Sequence, residues 1–334
     1  MTHIKSIVLS ITFIFLTFLL QGQTTSNVKK PKIERVSQAL GYIVGQEYSL
    51  NYIKNEFPQL ENKVLVAEMA FKSTFGKSKL GMEDYLSNYL GEDKLKDFND
   101  NLIEEIQKRM SNQTYSEEIA INFIEELEKR ANGNIPNPIL ETLLSFQYID
   151  SPNSEFSSGF TNIFKTKGHS KSKNTDWQIR VPKSWKAKEA DRPNIIQSFI
   201  DDFGDGLNNI MLMVKDINVP KGTKFSNQEK NDFFTKKGIK IMVPQGAKFI
   251  TFSKMTLDSN IGGMLEIEQT VSRLDFKMKM RIVQFMFIRG CKIYTLTGTV
   301  SSANMEDDLG PKMEKYLPLF KLVANSIVVN DQYK

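Results

Sequence analysis

The apolar positions of this chain change their period once. Between residues 33 and 150 they recur every third or fourth residue, the spacing of helices with one buried side. Leu60, Val64, Ala67, Phe71 and Phe75 form one such stripe. Leu95, Phe98, Leu102, Ile106 and Met110 form another, with Glu104, Glu105, Lys108 and Arg109 between them. Thr114 and Glu117 stand at capping-box spacing and open a further helix with Ile119, Phe123 and Leu127 on its face. Ala131–Asn132–Gly133–Asn134 ends that helix, with Pro136 and Pro138 beyond. Residues 33–150 therefore read as an all-α bundle of about five or six helices. Gly41 and Gly45 lie four apart on one helical side, which admits close approach of another helix. A core helix softened by glycine is the plainer alternative.

Residues 151–175 are rich in Ser, Asn, Gly and Lys and read as a linker or long surface loop. From Trp177 the period becomes two: Trp177, Ile179 and Val181 alternate with Gln178 and Arg180, and Pro182 ends the strand. Further strands are expected at 195–200, 207–214, 249–257, 264–271, 276–288 and 293–300, with a short polar helix over 226–237. The short connections imply antiparallel pairing. A turn at Arg273–Leu274 would set Glu268 opposite Lys279 and Glu266 opposite Arg281, pairs worth roughly 0.2–1 kcal/mol each. Leu309, Met313, Leu317, Phe320, Ala324 and Ile327 mark a closing helix that packs on the sheet. Pro311 starts its main part, and Pro318 is expected to kink it.

The N-terminus sets the expected compartment. Lys5 precedes an uncharged apolar run of 14 residues, Ile7 to Leu20, and Gln21–Gly22–Gln23 follows it. This is the layout of a secretory signal peptide over 1–23; a spanning helix needs about 20 apolar residues. Residues 24–32 read as a disordered leader. Residues 24–150 carry 15 basic and 20 acidic side chains, and residues 151–334 carry 28 and 19. The opposite signs fit two separately built domains.

Composition narrows the chemistry. One cysteine among 334 residues excludes an intramolecular disulfide and multi-cysteine metal sites. Of the two histidines, His3 falls in the signal segment and His169 in the polar stretch, where a general base would not be held in place. Asp201–Asp202–Phe203–Gly204–Asp205–Gly206 departs from Ca²⁺-loop spacing, because Phe203 occupies a ligand position. We therefore assign no catalytic residue, no metal site and no cofactor. The basic residues Lys221, Lys224, Lys236, Lys237, Lys240 and Lys248 cluster around the polar helix as a candidate anion-facing surface. Trp185 is either a further part of a binding surface or a core anchor. Phe225, Phe233 and Phe234 read as core, so nucleic acid is not the expected partner.

Trp177–Gln178–Ile179–Arg180–Val181–Pro182–Lys183–Ser184–Trp185, the strand ending Tyr294–Thr295–Leu296–Thr297–Gly298–Thr299, and the closing Phe320 with Ala324–Asn325–Ser326–Ile327 resemble the PsbP-like family. The resemblance implies an antiparallel sheet between helices over 176–330, and a non-enzymatic accessory or binding role. Residues 36–45 also resemble, faintly, the helical dimerisation segment of some secreted FKBP-type prolyl isomerases; no isomerase domain follows. The expected fold is α+β: a helical N-terminal domain, then a PsbP-like α/β/α domain. The expected function is a secreted or periplasmic non-catalytic binding protein. It would meet a protein or anionic envelope partner and have no integral membrane segment after cleavage. One alternative is an extracytoplasmic assembly or folding factor forming a homodimer through the helical domain. The other is a hydrolase using carboxylates alone.

Overall fold

The computed structural model describes residues 30–333 apart from 112–114, 191, 202, 204–206, 221 and 274–275. The expected signal segment, Thr114 and Lys221 lie outside the described residues. The chain divides into two compact units, Met1–Gln147 and Tyr148–Lys334.

The first unit holds α1 (Lys30–Glu56), a 3-10 turn at Pro58–Leu60, α2 (Glu61–Leu90), α3 (Glu92–Ser111), α4 (Glu117–Ala131) and α5 (Asn137–Gln147). Helix α2 is its axis and touches the other four. Its Val64, Ala67, Phe71, Phe75, Met82 and Leu86 are buried. Against α5, the Ser78 hydroxyl donates to the Leu143 carbonyl at 2.8 Å, and Tyr85 meets Phe146 at 5.8 Å. Helix α1 begins at Lys30, inside the expected leader. Pro31 suits that first turn, where its missing N–H is not needed. Ser116, not Thr114, caps α4 and accepts from the Ile119 amide at 3.3 Å. Its fully buried side is Ala120, Ile124 and Leu127, a rotation from the expected Ile119 and Phe123. Gly133, with φ +88°, supplies the left-handed residue that ends α4.

The second unit opens with α6 (Pro152–Ser157) and β1 (Thr161–Lys165), which corrects the linker expected over 151–175. Phe156, Thr166, Ser172 and Thr175 are buried; the Thr166 hydroxyl donates to the Thr175 carbonyl and accepts from the Trp177 amide, and the Thr175 hydroxyl donates to the Ser172 carbonyl. Their polarity satisfies the backbone of a tight connection instead of marking a solvated loop. β1 pairs antiparallel with β2 (Trp177–Pro182), and β2 with the short β10 (Val328–Val329), giving a three-stranded sheet. The main sheet has seven strands in the order β3-β4-β5-β9-β8-β7-β6. These are β3 (Lys186–Lys188), β4 (Ile195–Ile200), β5 (Asn209–Asp216), β6 (Lys248–Leu257), β7 (Asn260–Arg273), β8 (Phe276–Arg289) and β9 (Lys292–Ser302). All described pairings are antiparallel. α7 (Asn227–Phe233), a 3-10 segment at Gly238–Met242 and α8 (Gly310–Asn325) complete the α+β unit.

The main sheet is apolar on both faces. Val283, Phe285 and Phe287 of β8 join Trp177, Leu296 and the α8 residues Met313, Phe320 and Val323. The alternate residues Ile282, Met286 and Ile288 join Phe234 and Ile239 on the other face. The β7–β8 register differs from the expected one by two residues: Glu268 faces Arg281, and Thr270 faces Lys279. Arg273 pairs with Phe276, and Leu274 of the expected turn lies outside the described residues. The expected charge partners still meet, diagonally, with Arg281 Nε 2.6 Å from Glu266 and Lys279 Nζ 3.9 Å from Glu268.

Gly298 lets α8 settle on the sheet. A Cβ there would lie 2.4 Å from Phe320 Cγ. Gly298→Ala is therefore expected to destabilise the second unit by about 1–3 kcal/mol, because overpacking outweighs the better strand propensity of alanine. Urea unfolding measures the loss, and an unchanged midpoint contradicts this packing.

Candidate interaction face

Lys224, Lys236, Lys237 and Lys240 are carried by a short segment covering the second face of the main sheet, and Lys248 opens β6. Ser226 and Glu229 form the capping box that starts α7: the Ser226 hydroxyl accepts from the Glu229 amide at 3.2 Å, and the Ser226 amide donates to the Glu229 carboxylate at 2.7 Å. Phe234 and Ile239 anchor the segment in the core beneath. Gly238 makes the tight passage between them, since a Cβ would fall 2.4 Å from the Phe233 carbonyl oxygen. With Ile239 buried, its neighbours Lys240 and Ile241 turn outward, and Ile241 is 77% exposed.

Lys224, Lys236, Lys237, Lys240 and Lys248 are all exposed. Lys236 Nζ stands 5.7 Å from the centre of the Phe249 ring on β6. Lys254, also on β6, donates to the Asn231 side chain of α7. Residues 222–257 contain seven lysines against the two acids Glu229 and Asp232. None of these lysines forms an ion pair among the described residues. β6 is also an edge strand, hydrogen-bonded to β7 alone among the described residues, with an irregularity between Phe249 and Thr251. Lysines and a bulge on an edge discourage indiscriminate strand pairing. The sequence reading missed Lys254 and Ile241. Lys254 sat in an ordinary strand until the topology made that strand an edge, and Ile241 had the same hydropathy as the buried Ile239.

Trp185 belongs to the core. It is 6% exposed and meets Tyr316 and Phe320 edge-on at 6.2 and 6.4 Å. This corrects its place in the candidate binding surface: the two rings of α8 enclose it. Beside it lies a buried carboxylate that the sequence did not single out. Glu155 of α6 accepts from the Ser184 amide at 2.8 Å and from the Ser184 hydroxyl at 2.6 Å. Asp201 accepts from the Tyr316 hydroxyl at 2.6 Å. Burial pushes the Glu155 carboxyl up from 4.5 to about 7, against the opposing pull of the Ser184 bonds; Asp201 adds to the rise. His169 is half-buried, its Nδ1 accepting from the Lys171 amide at 3.2 Å. Cys291 is half-exposed in the β8–β9 turn, where its thiol approaches the Thr223 carbonyl at 3.4 Å.

No protein-family model matches the chain, and no curated protein matches it. Among solved structures it is similar to the cyanobacterial PsbP protein of Synechocystis, at 13% identity and a TM-score of 0.32, over 51% of this chain and 92% of that one. It is likewise similar to LpqN of Mycobacterium tuberculosis, a protein involved in cell envelope biogenesis, at 10% identity and a TM-score of 0.31, over 52% and 92%. A third similar structure, from Bacteroides thetaiotaomicron, has 10% identity and a TM-score of 0.27 over 47% and 46%. PsbP is the family that the motifs of the second unit resemble. The α+β class itself rests on the observed sheet order and register, and no residue role passes from these structures to this chain.

Glu155 gives the second unit a pH dependence of definite sign. Between pH 4.5 and about 7 the folded protein keeps a proton that the unfolded chain has released. Its contribution is complete below pH 4.5 and is lost as pH rises through about 7. Glu155→Gln keeps a side chain able to bond Ser184 and is expected to flatten this dependence, worth up to about 3 kcal/mol. Denaturant titrations at pH 5 and pH 8 on both proteins measure it; equal slopes in the two contradict the assignment.

Proposed function

We propose that this chain is an exported, non-catalytic binding protein whose second unit recognises an acidic envelope partner through the face around α7, the 3-10 segment and β6. The observation that carries this reading is the set of exposed, unpaired lysines, Lys224, Lys236, Lys237, Lys240 and Lys248, around the exposed Ile241. Such a face steers an oppositely charged partner by its field and holds it by an apolar contact at the centre. The signal-like pattern of residues 1–23 supports export. No helix among the described residues is long and apolar enough to cross a membrane. Glu155 and Asp201 are close enough for the charge of one to act on the other, as two carboxylates of a hydrolase would be. Their oxygens are held by Ser184 and Tyr316, which supports a structural role for both.

The test compares the unmodified protein with the variant Lys237→Glu/Lys240→Glu/Ile241→Asp, each immobilised and exposed to the native envelope fraction. The unmodified protein is expected to retain one stoichiometric partner, with affinity falling as salt rises. The variant is expected to lose roughly tenfold or more in affinity, because a substituted charge acts first on the rate of encounter. Equal capture by both proteins overturns this face as the recognition surface.

A further inference from the structure

Helix α2 carries a second surface, independent of the basic face. Val66, Met69 and Leu80 are 61%, 62% and 66% exposed. With the exposed Ser73 and Gly76 they recur at alternating steps of three and four, the seam spacing of one helix packed along another. The buried side of the same helix, Val64, Ala67, Phe71 and Phe75, is occupied by its own bundle. The exposed seam is thus a second apolar side on a helix that already has one.

We propose that two copies of the chain associate through this seam, their α2 helices antiparallel and related by a two-fold axis near Ser73. Charge decides the direction. Lys63 lies ten residues before Ser73, and Glu83 and Asp84 lie ten and eleven residues after it. None of the three forms an ion pair among the described residues. In a parallel pair, Lys63 would meet Lys63 and Asp84 would meet Asp84. In the antiparallel pair, Lys63 of each copy comes level with Glu83 and Asp84 of the other, and the small Ser73 of one copy meets Ser73 of the other at the centre.

Shape agrees with charge. A cleft of about 130 Å³ lies between α1 and α2; Ile43, Leu50, Phe71 and Phe75 form its apolar part with Gly76, and the ion pairs Lys72–Glu68 and Lys79–Glu47 also line it. A Cβ added at Gly76 would meet nothing within 4 Å, so the cleft is open there. The antiparallel axis brings Met69 of the second copy close to the level of Gly76 and to the same side of the seam. Methionine is suited to such a hole, being flexible and favourable against aromatic rings. The seam from Val66 to Leu80 spans only about 21 Å. One seam of that length is short for a stable obligate dimer, so a reversible one with a dissociation constant of about 1–100 µM is expected.

Sedimentation equilibrium of the full chain reads this directly. The unmodified protein is expected to double its mass with a micromolar constant, and Met69→Lys and Gly76→Gln are each expected to weaken it at least about tenfold. Gly76→Gln is the decisive variant for folding: it fills open space and favours the helix, so its thermal midpoint in dilute solution should equal or exceed that of the unmodified protein. In a Cys291→Ser background, a mixture of Lys63→Cys and Asp84→Cys chains should form a covalent dimer on oxidation, and either alone should not. A monomer at about 300 µM, a dimer indifferent to both substitutions, or a covalent dimer from Lys63→Cys alone overturns the proposal. The basic face of the second unit would survive any of these results.

Discussion

The second unit depends on one constraint: neighbouring residues of β8 and β9 are buried on opposite faces of the same sheet. Val283, Phe285 and Phe287 support α8, while Ile282, Met286 and Ile288 support α7 and the 3-10 segment. A strand covered on both sides cannot slip by one residue without exchanging its two cores. This fixes the register of the long β7–β8 hairpin, and with it the Arg281–Glu266 pair at 2.6 Å. It also fixes where the covering segment must lie, because Phe234 and Ile239 have a single apolar face to meet. Lys240 and Ile241 are thrust outward as a consequence of that docking.

The same economy governs the polar groups. Glu155 is tied to Ser184 by two bonds, and Asp201 holds Tyr316, so these acids join α6 to the β2–β3 connection and the end of β4 to α8. Lysines over residues 222–257 form no ion pair among the described residues; Lys254 bonds the neutral Asn231, and Lys236 lies over the Phe249 ring. A face in which the acids are spent internally and the bases are left outside is an electrostatic surface produced by packing. The first unit shows a related asymmetry in α2, whose buried side is filled by its bundle and whose other side is apolar as well.

Much of this was legible in the sequence, for identifiable reasons. Strands β4 and β6 to β9, and the closing helix, announce themselves through apolar residues that recur at strand or helix spacing between turn signals. The helical bundle was equally plain in Leu60, Val64, Ala67, Phe71 and Phe75. The segment 151–175 was not: Thr166, Ser172 and Thr175 look like linker residues, and only their hydrogen bonds to local backbone show otherwise. The hairpin register was missed by two because diagonal and direct charge pairs predict the same contacts from different turns. Trp185 and Ile241 show the limit at the candidate face: hydropathy alone does not tell which of two apolar residues has neighbours. Glu155 was invisible because its burial is created by α6, an element hidden within the apparent linker.

Native-state hydrogen exchange across the second unit tests the two-faced sheet most directly. Amides of Val283–Ile288 and Tyr294–Val300 should exchange only through global unfolding, while those of the β6 edge and of residues 236–242 should exchange through local opening at much lower cost. Uniform protection across all of these segments, or rapid exchange within β8 and β9, would contradict a sheet held by apolar cores on both sides.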